Sequence, residues 1–72
     1  MFKKLREKRI KKGYTYQKMA EMLGISKTFY YQIEMQDRNL SYNMAIKIAD
    51  IFNVKPDTIF YNDYIEEKGK EK

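Results

Sequence analysis

Apolar side chains recur along this chain at helical spacing, and no stretch alternates at the two-residue period of a strand. Phe2 and Leu5 stand one turn apart in a lysine-rich segment that Gly13 stops. Behind Thr15, a residue suited to cap a helix start, Met19, Ala20 and Leu23 recur at i, i+1 and i+4. Gly24 ends that second helix, because glycine enters the left-handed region at little cost. Ser26 caps a third helix running to about Met35, and Ser41 caps a fourth from Tyr42 to Phe52. In the fourth, Ala45, Ile48, Ala49 and Phe52 repeat at i, i+3, i+4 and i+7. Pro56 opens a fifth helix, where its missing N–H would have no partner anyway, and Ile59 and Phe60 follow. The pattern predicts an all-α, compact five-helix bundle over residues 1–66. The charged residues 67–72 are expected not to order.

The third helix holds three rings in a row, Phe29, Tyr30 and Tyr31. At about 100° per residue, Phe29 and Tyr30 flank Ile33 and turn inward with it. Tyr31 falls on the other side together with Lys27, Thr28 and Gln32. That outer face is short and nearly uncharged, and it offers a hydroxyl, an amide, one ammonium and one exposed ring. Gln can pair with adenine, Thr can touch a base or a thymine methyl, and Lys can reach guanine or phosphate. The same residues also suit a plain solvated face with Tyr31 lying across a neighbour.

Charge and composition narrow the functional class. Residues 1–12 carry seven Lys or Arg against one Glu, whereas residues 13–60 balance. A basic segment on a neutral body points to a polyanion, either nucleic acid or an acidic membrane surface. The apolar stripe of Phe2, Leu5 and Ile10 is too narrow for firm membrane insertion. With no Cys and no His in 72 residues, thiolate chemistry, disulfides and the commonest zinc ligand are excluded. Nothing indicates a metal, a cofactor or a small-molecule ligand, and no base and nucleophile pair accompanies the carboxylates. No run is apolar enough for a membrane span or signal peptide, so a cytoplasmic protein is expected.

Two short helices joined by a tight glycine turn form a helix-turn-helix, whose second helix enters the major groove. The stretch YTYQKMAEMLGISKTFYYQIE resembles the DNA-binding domain of the phage-repressor and Cro family, also called the XRE family. The resemblance runs from LREKRIKKG to IADIFNVKPDTIF. It rests on Arg9, Gly13, Thr15, Ala20, Leu23, Gly24, Ser26, Ile33, Glu34, Arg38, Asn39, Ser41, Ala49 and Val54 standing in register.

The resemblance implies a lambda-repressor-like fold and a regulator that binds double-stranded DNA, most simply a repressor occluding a promoter. It assigns base contacts to Lys27, Thr28 and Gln32, with Tyr31 beside them, and backbone phosphate contacts to Arg38 and Asn39. Arg9 and Glu34 match a structural ion pair of the family. The family's phosphate-binding, helix-bracing Gln is replaced by Tyr16, with Gln17 one position later; both are candidates for phosphate. Met35-Gln36 stands where the family commonly has Asn-Gly, and Leu40 where it commonly has Pro. Members usually bind as homodimers, and Phe60, Tyr61, Tyr64 and Ile65 are the candidate interface; the alternative is that they pack back onto the first helix beside Phe2 and Leu5. The alternative function is the antitoxin half of a toxin–antitoxin pair, since antitoxins of this fold also bind DNA.

Overall fold

The computed structural model describes residues 1–61. Four helices follow one another: α1 (Lys3–Lys12), α2 (Tyr16–Leu23), α3 (Lys27–Glu34) and α4 (Tyr42–Ile51). Residues 56–61 are helical again, completing five helical segments, and no strand occurs among the described residues. The architecture is the all-α bundle that the periodicity predicts.

Side-chain caps set three of the helix starts. Thr15 Oγ1 accepts the Lys18 N–H at 3.0 Å, Ser26 Oγ that of Phe29 at 3.1 Å, and Ser41 Oγ that of Met44 at 3.1 Å. Each satisfies an N–H that the helix cannot, which is worth about 1 kcal/mol. Gly24 ends α2 at φ +70, and the next residue folds back, with Ile25 N–H donating to Ala20 C=O at 3.0 Å. This reversal makes the tight corner between α2 and α3.

The core gathers one stripe from each helix. Leu5, Met19, Tyr30, Ile33, Ile48 and Ile59 are fully buried, and Phe2, Ala20, Leu23, Ala49, Phe52 and Phe60 close around them. Burying one large apolar side chain contributes about 1.5–3 kcal/mol, so the ten large residues among these twelve do most to hold this small domain together. The chain start is fastened to the end of α3 as well: Phe2 N–H donates to Glu34 C=O at 2.9 Å. Helix α1 buries only Leu5 and Arg9, and Ile10 lies exposed among its basic residues.

Candidate nucleic-acid interface

The corner at Gly24 sets α3 across α2 with one face outward. Lys27, Thr28 and Tyr31 are exposed there, Tyr31 by 41%, and Gln32 is half-buried beside them. Tyr30 and Ile33 are fully buried, so the row of rings divides as the helical wheel predicts. Phe29 differs. It is half-buried at the edge of the core, because its ring forms a platform beneath the Arg38 guanidinium, whose Cζ lies 4.5 Å from the ring centroid.

A buried polar network holds α3 from beneath. Glu34, with no exposed surface, accepts from Arg9 Nε at 2.8 Å, Arg9 Nη2 at 3.2 Å and the Tyr30 hydroxyl at 2.8 Å. Arg9 Nη1 donates to Tyr14 C=O at 2.9 Å. Burial works against the Arg9 charge, but the hydrogen bond and charge of Glu34 outweigh it and raise its pKa. Burial, then the charge and hydrogen bond of Glu34, push the Tyr30 phenol far above its ordinary range, so it stays a donor. The pair joins α1 to the last turn of the exposed helix.

Tyr16, which replaces the bracing Gln of the family, sits inside this arrangement. Its ring lies beneath the Arg9 guanidinium at 4.4 Å and meets the Tyr31 ring edge-on at 5.3 Å between centroids. The Tyr30 ring is 6.2 Å away. Tyr16 therefore braces α3 through ring contacts, where an amide would use hydrogen bonds. Gln17 is exposed and donates to Glu21 at 3.3 Å, one turn further along α2.

The turn after α3 brings its polar residues back over the helix. Gln36 adopts φ 63, a left-handed conformation costly for a side chain with a Cβ. Asp37 N–H then donates to Gln32 C=O at 2.8 Å, and Arg38 Nε donates to Gln32 Oε1 at 3.1 Å. Arg38 and Gln32, which the family resemblance assigns to separate contacts, touch each other, and nothing in their spacing signals it. Asn39 is exposed beside them.

Of the four residues offered as an interface, Phe60 belongs to the core. It packs edge-to-face on Phe2 at 4.9 Å, since residues 56–61 run back against the chain start and Phe60 points into that seam. Tyr61 is 57% exposed, and Tyr64 and Ile65 lie outside the described residues. Tyr61 and Tyr42 border an open groove of about 660 Å³, with Phe2, Leu40 and Pro56 among its walls. Among the described residues no acidic cluster suited to a metal occurs, and no helix is long and apolar enough to cross a membrane.

The fold, the glycine corner and the outward face of α3 together define a helix-turn-helix domain. The chain belongs to the XRE-type helix-turn-helix family of DNA-binding transcription regulators, whose model matches residues 5–59. It is 40% identical over 60 residues to a protein of Pyrococcus furiosus that bears the name of an HTH-type transcriptional regulatory protein. That match covers 79% of this chain and 19% of the longer relative, so the chain spans about a fifth of that relative's length. It is also 33% identical over 67 residues to an uncharacterized HTH-type transcriptional regulator of Archaeoglobus fulgidus, covering 93% of this chain and 96% of that protein. No solved structure matches the chain at comparable significance.

Proposed function

We propose that this chain is a sequence-specific regulator of transcription that binds double-stranded DNA and acts as a repressor in the cytoplasm. A homodimer would place two copies of α3 in successive major grooves of an inverted-repeat operator and so exclude polymerase from the promoter. The observation that carries the reading is the outer face of α3. Lys27, Thr28, Tyr31 and Gln32 present donors, acceptors and one ring outward, while Tyr30 and Glu34 anchor the same helix from below. Base edges are read by such a surface, and phosphates fix its register. Gln17, Asn39, Arg38 through its outer nitrogens and the Tyr16 hydroxyl are assigned to phosphate. Self-association is assigned to the groove bordered by Tyr42 and Tyr61, which are 75% and 57% exposed.

Selection of bound duplexes from a random pool, at about physiological salt where non-specific binding is weak, tests this directly. The expected product is an inverted repeat with half-sites about 34 Å apart, one turn of the duplex. A pool that stays random through repeated rounds contradicts it.

A further inference from the structure

Phe29 and Gln32 are neighbours on the rim of α3, three residues apart and so on one strip of the helix. The left-handed Gln36 turns the chain back, and Arg38 settles across both. Its guanidinium lies over the half-buried Phe29 ring, Cζ 4.5 Å from the centroid, and its Nε–H donates to Gln32 Oε1 at 3.1 Å. Two contacts of different kinds thus hold one planar group in place.

The chemistry of that contact fixes the orientation of the Gln32 amide. Arginine only donates, so the carboxamide atom facing it is the oxygen; one of its two lone pairs is then taken and a cation lies beside it, which leaves the NH2 group the readier end for a base. An unrestrained Gln can turn either end to a base, or both ends to adenine, whose N6 amino group needs the amide oxygen. Guanine presents two acceptors, N7 and O6, and needs none. We infer that Arg38 is a positioning residue for Gln32, biasing it to read guanine in place of adenine. This inference rests on the DNA-binding reading above, and it adds to Arg38 a role that a phosphate contact does not include.

Lysine at position 38 separates the two roles. It keeps the positive charge, and with it the attraction to phosphate, but its flexible ammonium has no planar group to seat over Phe29 and so no donor held in place at Gln32. The experiment takes the duplex selected by the parent and finds the base pair whose preference is lost in Gln32→Ala. Binding of the parent, Arg38→Lys and Arg38→Ala is then measured with guanine or adenine at that pair, at one salt concentration. Thermal melting confirms that each variant is folded. The parent is expected to favour guanine by about tenfold, and both variants to fall to within about threefold, with preferences at other positions unchanged. The inference is overturned if the parent favours adenine there, or if both variants keep the parental ratio while binding every duplex more weakly. A parental motif with no base pair sensitive to Gln32→Ala also overturns it, yet leaves the regulator reading standing. Only a parent that selects no motif at all removes both.

Discussion

Replacing Arg9 by Met removes one cation from the interior and leaves its partner behind. Glu34 has no exposed surface and takes three hydrogen bonds in the folded protein, two of them from Arg9. Breaking a buried ion pair by removing one partner costs about 3–5 kcal/mol, because the remaining charge has lost both water and counter-charge. Tyr30 still donates to Glu34 in this variant, and the methionine fills much of the space of the arginine stem, so the lower end applies. A chain of 72 residues has about 4–11 kcal/mol of total stability at the usual 0.05–0.15 kcal/mol per residue. A loss of about 3 kcal/mol is then a quarter to three-quarters of the whole. Urea unfolding followed by helical circular dichroism at pH 7 reads it. With a slope of about 1 kcal/mol per molar for so small a domain, the midpoint should fall by about 3 M. The double variant Arg9→Met with Glu34→Gln should recover part of that loss, because no charge is then left buried and the amide oxygen still accepts from Tyr30. A single variant within about 1 kcal/mol of the parent, or a double variant no better than the single, would contradict a buried Glu34 charge that depends on Arg9.

Two further outcomes follow from the same network and from the α2–α3 corner. Folded Tyr30 resists ionisation, whereas the unfolded phenol titrates near its ordinary value of about 10. Its contribution is therefore complete below pH 10 and is lost as pH rises above it, at about 1.4 kcal/mol per unit. The alkaline slope of stability should be shallower by that amount in Tyr30→Phe than in the parent, and identical slopes would exclude the effect. Gly24→Ala meets no atom within 4 Å, so its cost should be the left-handed backbone alone, about 1–2 kcal/mol. Melting unchanged from the parent would show that the corner relaxes without glycine.

What the sequence made legible was whatever depends on local spacing. Thr15, Ser26 and Ser41 cap helices because a short side-chain oxygen before an apolar period suits that position in any context. Tyr30 and Tyr31 divide between core and surface because 100° per residue separates them wherever the helix lies. Residues that meet across turns were harder to place. Arg38 reaches Phe29 and Gln32 only because Gln36 takes a positive φ, a conformation that the identity of Gln36 argues against. Phe60 reads from the sequence either as an interface residue or as one that packs back beside Phe2, and only the contact itself, which spans almost the whole described chain, decides between them. The Tyr16 substitution shows the same limit from another side. Losing the family's amide looks like losing a brace, yet three neighbouring groups, Arg9, Tyr30 and Tyr31, receive the ring.

The central claim is that the outer face of α3 reads base edges, and the Gln32→Ala variant tests it most directly. Its binding to the selected operator and to a scrambled duplex should be compared with the parent's at the same salt concentration. Affinity for the operator should fall roughly 5–150-fold, the equivalent of about 1–3 kcal/mol, while affinity for the scrambled duplex stays nearly constant. Equal losses on both duplexes, or no loss on either, would contradict it.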